Sequence, residues 1–140
     1  MLESRGEVVI TKPADAIFDY LADMRNEPEW LPGASEVALT SDGPVTLHST
    51  FVGKYARAGQ VRCEITEHER PARLTIHGEA AGMTFDDAIS LTPVACGTRL
   101  EAVMRTTPKG FFRLVAPVMG RVIDKQFQSN WEKLRSVLEA

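Results

Sequence analysis

Between Ser35 and Thr106 the apolar residues fall mainly on alternate positions, and on either side of that stretch they recur every third or fourth residue. The segments SEVALTS, VTLHSTFVGKY, GQVRCEITEHE, ARLTIHGEA, MTFDDAISLTP and GTRLEAVMRT each read as a strand with one apolar face. They are separated by SDGP, ARAG, ERPA, AAG and ACGT, whose Gly, Pro and Asp residues turn the chain within a few positions. Connections this short join antiparallel neighbours, so the six segments predict a meander. A seventh strand is predicted upstream at EVVIT, Glu7 to Thr11, from its β-branched residues.

The helical signals flank this sheet. Ala14, Ile17, Phe18 and Leu21 lie on one face of a short helix, with Asp15 in its first turn at the positive end of the dipole. The pattern breaks after Asp23, and NEPE predicts a second start. Asn26 would be the N-cap, Pro28 would lie in the first turn, and Glu29 would reach back as in a capping box. That one-turn helix carries Trp30 and ends at Pro32 and Gly33. At the other end Val118, Val122, Phe127, Trp131, Leu134 and Leu138 form a helical stripe. The helix is placed from about Pro117, with GFFRLVA as a separate turn, because proline disrupts a helix interior. About 22 residues at ~1.5 Å each give roughly 33 Å, enough to cross a sheet. A sheet with one apolar face must be covered, and this helix is the only long element available, so an α+β architecture follows.

A chain of 140 residues, 44% hydrophobic and 25% charged, suits a single domain spanning 1–140. A net charge of -3 and a pI near 5.6 argue against nucleic acid as a partner. Cys63 and Cys96 are too few for a disulfide framework and stand in no metal-binding spacing, so neither a metal nor a cofactor is expected. MLESRGEVVI lacks a secretory pattern and no apolar run is long enough to span a bilayer, which leaves a cytoplasmic location as the expectation.

The runs VVITKPADAIFDYLADMRNEPEWLPG, ITEHERPARL, GTRLEAVM and FQSNWEKLRSVLEA together resemble the SRPBCC, or START/Bet v1-like, superfamily. Within it the chain is similar to the bacterial polyketide cyclase/dehydrase and lipid-transport-like proteins, and the likeness runs over essentially its whole length. The resemblance implies a helix-grip fold: a curved seven-stranded antiparallel sheet wrapped around a long C-terminal helix, with two short helices after strand 1. It also implies a cavity between sheet and helix that takes an apolar small molecule, in a monomer or weak homodimer.

Strand alternation then says which side chains face such a cavity. Val61, Cys63 and Ile65 point in while Arg62, Glu64 and Thr66 point out, and Leu74 and Ile76 point in while Thr75 and His77 point out. Phe85, Asp87, Ile89 and Leu91 share a face, which turns Asp87 inward and Asp86 outward. An inward carboxylate must be paired, be wetted through a cavity, or carry a raised pKa, unless a bulge turns it to solvent. Phe51 inward brings Ser49 and Tyr55 with it and sends His48 out, and Leu100, Ala102 and Met104 also face in. The candidate lining is thus Trp30, Phe51, Tyr55, Cys63, Ile76, Phe85, Asp87 and Met104 from the sheet side. Phe112, Met119 and Phe127 come from the C-terminal segment. Trp30 has two open roles, plugging the end of the core or lining an entrance. Asp87 and His48 are the candidates for moving a proton; Cys63, if buried, is a small hydrophobe rather than a nucleophile.

Three functions fit these residues. The first is binding or transport of an apolar molecule such as a lipid, polyketide or aromatic compound. The second is a polyketide cyclase/dehydrase-type enzyme using the same cavity, and the third is a protein-interaction module displaying Phe111 and Phe112.

Overall fold

A computed structural model describes residues 1–140. The strands are β1 (Leu2–Ile10), β2 (Ala34–Leu39), β3 (Thr50–Tyr55), β4 (Gly59–Glu69), β5 (Arg73–Glu79), β6 (Met83–Val94) and β7 (Gly97–Pro108). The helices are α1 (Ala14–Ala22), α2 (Glu27–Trp30) and α3 (Ala116–Leu138), with 3₁₀ turns at Met24–Asn26 and Gly110–Arg113. The seven strands form one antiparallel sheet in the order β1-β7-β6-β5-β4-β3-β2. From β2 to β7 every strand pairs with its neighbour in sequence, as short connections require, and β1 closes on β7. The long helix α3 packs on the sheet's concave side with Phe127, Trp131 and Leu134 buried.

The first strand begins at Leu2, five residues earlier than the apolar run indicates, because the twelve residues of β7 offer it a ladder from Leu2↔Thr106 to Ile10↔Thr98. Its inward positions at this end are Ser4 and Gly6, which carry no hydrophobic signal. Each serves the helix instead. Ser4 is buried and its Oγ donates to Asp124 of α3 at 2.6 Å. A Cβ built on Gly6 would lie 2.4 Å from Trp131 Cδ1, so only glycine lets the indole lie against the strand. The free edge of β1 is partly covered by the Gln128 side chain, which accepts from Glu7 N and donates to Glu7 O.

The third strand is shorter than predicted. Residues 45–49 form a loop in which Thr46 N donates to Ser49 Oγ at 2.9 Å and Ser49 N to Thr46 O at 3.1 Å, while His48 adopts φ +69°. These local bonds satisfy backbone groups that a ladder would otherwise take up. The capping box at NEPE does not form either. Asp23 caps the preceding 3₁₀ turn by accepting from Arg25 N, Asn26 Nδ2 donates to Tyr20 O, and Glu29 accepts from the Tyr20 hydroxyl at 2.6 Å.

The C-terminal stripe divides in two. Pro117 falls in the first turn of α3 as predicted, but Val118 and Val122 are exposed, 68% and 42%, and are not part of the core. Between this half of the helix and the β5–β6 turn lies a cleft of about 450 Å³. Phe112, Val115 and Met119 line it, the Phe112 ring lying over Gly82.

Candidate functional site

The principal cavity, about 440 Å³, opens between the α2 loop, the β3–β4 turn and helix α3. Of its 22 lining residues 15 are hydrophobic, so its walls favour a ligand with a large apolar surface. Trp30, Tyr55, Cys63, Ile76, Phe85, Asp87, Met104 and Phe127, all expected from alternation or from the family resemblance, line this space. Phe112 and Met119 line the neighbouring cleft instead, and the two spaces share Arg57, Ala58, Met83 and Ile123 along their boundary. Phe51 faces inward but does not reach the cavity; it is packed to 1% exposure within the core. His48 lies outside the site. It sits in the loop before β3, largely exposed, with Nδ1 2.8 Å from Glu64 Oε2 on the outer face.

Trp30 packs into the core and is also part of the cavity wall. It stacks on Trp131 with ring centroids 5.5 Å apart and planes 26° apart. Phe127 meets Trp131 edge-on at 5.5 Å, so the aromatic wall is held from the helix side as well.

The ionisable chemistry lies in two carboxyl groups, beside which the indole N–H groups of Trp30 and Trp131 are buried without an acceptor. Asp87 keeps its inward position because β6 pairs in unbroken register on both sides, Ile76↔Asp87 and Asp87↔Met104. The side chain lies between two apolar partners, and its Oδ1 is sealed from solvent without a hydrogen-bond partner. The second carboxyl belongs to Glu27, which sequence reasoning missed. It is buried at the start of α2 and accepts a hydrogen bond from the Tyr55 hydroxyl. Its signal was present in the chain, since Glu27 precedes Trp30 by three residues and a helical turn puts both on one face. Assigning the helix start to Asn26 and the capping role to Glu29 hid it.

Burial sets the protonation of this cluster. It pushes the Glu27 carboxyl up to about 7, against the pull of the Tyr55 hydrogen bond. Burial also lifts Asp87 to about 7, with the charge of Glu27 adding to the rise. The Tyr55 phenol is raised by burial and by Glu27, and Cys63 is pushed up to about 12, which keeps it a neutral thiol. Both carboxyl groups of the cavity therefore hold a proton more tightly than exposed carboxyls do. No group of three or more His, Cys, Asp or Glu side chains converges in a metal-binding arrangement.

A curved antiparallel sheet gripping a C-terminal helix, with two short helices closing one end, defines a helix-grip protein. The chain belongs to the family described as polyketide cyclase / dehydrase and lipid transport, whose sequence model matches residues 1–139. Family membership ties it, at that coarse level, to hydrophobic-ligand binding or cyclase chemistry. Solved structures with the same fold include a protein of Thermus thermophilus, 17% identical with a TM-score of 0.76, covering 98% of this chain and 97% of that one. The di-domain ARO/CYC BexL from the BE-7585A biosynthetic pathway is 18% identical with a TM-score of 0.78. It aligns over 99% of this chain but 47% of its own length, so this chain spans about half of it. Ara h 8.0201 is 13% identical with a TM-score of 0.71, over 99% and 98% of the two chains. No curated protein matches in sequence, and no helix is long and apolar enough to cross a membrane.

Proposed function

We propose that the protein binds an apolar small molecule in the cavity between the sheet and α3. The observation that carries this reading is the cavity itself, whose volume of about 440 Å³ and mainly hydrophobic lining fall in the range of small-molecule sites. Affinity would come from burying ligand surface against Trp30, Ile76, Phe85, Met104 and Phe127, and orientation from Glu27, Tyr55 and Asp87. Native mass spectrometry of freshly purified protein followed by solvent extraction tests this. A reproducible extra mass that extracts as an apolar molecule is the expected result. A clean apo mass that stays unchanged after exposure to fatty acids, sterols, flavonoids and polycyclic aromatics would overturn it.

A second reading is favoured by the carboxyl pair. Buried carboxyl groups raised to about 7 can both give and take a proton, as a cyclase or dehydrase requires. In that case Asp87→Asn abolishes turnover of a cyclisable substrate while leaving its binding intact. Equal loss of binding and turnover in that variant refutes proton transfer by Asp87.

A further inference from the structure

The charge inside the cavity is of one sign. Glu27 and Asp87 are the ionisable carboxyl groups of the lining, and the one cationic side chain among the 22 lining residues, Arg57, is exposed on the β3–β4 turn at the mouth. Gln126 and Asn130 bond to each other at 2.8 Å along α3. The Tyr55 hydroxyl is committed to Glu27. Asp87 Oδ1 is left as a buried acceptor with no donor in the protein. An unpaired buried acceptor is destabilising, and a bound molecule that donates to it recovers that cost.

We propose that the cavity is built for an apolar molecule carrying a basic nitrogen, held by Asp87 and Glu27 with its apolar body against the aromatic wall. The inference rests on the cavity being a ligand site and narrows the ligand class. A protonated amine supplies the donors that Asp87 Oδ1 lacks and offsets the mutual repulsion of the two carboxylates. It is also the charge type that the rings of Trp30, Phe85 and Phe127 tolerate, since their faces attract cations. A carboxylate ligand such as a fatty acid meets like charge at the same place. A neutral alcohol gains a hydrogen bond but no charge pairing.

The proposal implies linkage to pH. Binding a cation requires the carboxyl groups ionised, so affinity for an amine rises as pH passes through about 7, where Glu27 and Asp87 lose their protons. Cys63 and Tyr55, whose pKa values are both raised, stay neutral over that interval. Affinity for a neutral analogue of the same shape does not rise.

Calorimetric titration of the full chain with naphthylmethylamine, naphthylmethanol and naphthoate separates the possibilities. The expected result is that the amine binds about tenfold or more tightly than the alcohol near pH 8, the worth of one charge-assisted hydrogen bond over a neutral one. That preference shrinks toward unity near pH 5 and in Asp87→Asn, with Glu27→Gln as the second variant. Binding of naphthoate or naphthylmethanol as tight as that of the amine overturns the basic-nitrogen inference and leaves the apolar cavity standing. An amine preference that survives both substitutions overturns the assignment to Glu27 and Asp87. Failure of all three probes to bind overturns the ligand-site reading and the inference with it.

Discussion

Replacing Glu27 by glutamine removes a titrating group from a buried position while preserving its shape and its ability to accept from Tyr55. Glu27 is held at about 7 in the folded protein against an ordinary value of 4.5. A folded-state pKa raised above the unfolded one means that the native state binds the proton more tightly. The associated stability is fully present below about pH 4.5 and is lost as pH rises through about 7. At about 1.4 kcal/mol per pH unit, that interval amounts to on the order of 3 kcal/mol. Glu27→Gln does not titrate and keeps its stability across the same range. It also removes the charge that helps to raise Asp87, which lowers the second carboxyl and adds to the gain.

The assay is urea denaturation followed by the fluorescence of Trp30 and Trp131, with wild type and variant compared in steps from about pH 5 to about pH 8.5. Groups with lowered pKa, such as Asp19, Asp23 and Glu139, are common to both proteins and cancel in the difference. The difference should grow with pH in favour of the variant and level off above about pH 7, where a melting experiment would show roughly 6–12 °C beyond the low-pH offset. Parallel stability curves would refute the reasoning, because Glu27 would then have the same pKa folded and unfolded. A variant that loses stability relative to wild type as pH rises would show that the ionised carboxylate is itself stabilising.

Three further substitutions probe other parts of the structure. Tyr55→Phe removes the donor to Glu27 and should cost about 1–3 kcal/mol in chemical denaturation, more at alkaline than at acid pH because the orphaned acceptor is then charged. Gly6→Ala forces the Trp131 indole off β1 and should cost about 1–3 kcal/mol with an altered near-ultraviolet dichroism signal; an unchanged spectrum would contradict the close approach. Asp19→Asn breaks a two-pronged ion pair with Arg70, at 2.8 and 2.9 Å, yet both side chains are half exposed. Its effect on the denaturation midpoint should stay within about 1 kcal/mol.

The sheet was legible because its central strands obey one rule, alternate positions facing alternate sides, and short turns leave little freedom in their order. Alternation alone placed Cys63, Ile76, Phe85, Asp87 and Met104 on the side that bears the cavity. The rule failed where position mattered more than hydrophobicity. Ser4 and Gly6 point inward because Asp124 and Trp131 need a hydroxyl and a missing side chain there, which no hydropathy pattern displays. Val118 and Val122 lie off the buried face of α3: Val122 stands five residues before Phe127, and Ile123, four before it, is the position that turns inward. Glu27 was hidden by a competing local assignment, because capping logic and burial logic both act on NEPE and burial wins.

The same inward glycines help to explain why the cavity stays open although its lining is aromatic. Gly6, Gly53 and Gly78 each lie under a ring, those of Trp131, Tyr55 and Phe85 respectively. A ring lying against a strand that lacks a Cβ occupies the wall rather than the lumen. Phe85 is the tightest case, directly opposite Gly78 across the β5–β6 ladder, where an added Cβ would come within 2.2 Å of its Cζ. Gly78→Ala therefore has to displace the ring, and the cavity beside it is the space available. Because the ring can move into that empty volume, destabilisation should be at the low end of the about 1–3 kcal/mol typical of overpacking. The larger effect should fall on binding, with naphthylmethanol affinity reduced about tenfold, the cost of losing part of the apolar contact surface. Calorimetry together with a melting curve distinguishes the two contributions. Wild-type affinity with a large loss of stability would show that Phe85 is locked in place and the strand has moved instead, and the account of how the cavity is kept open would fail.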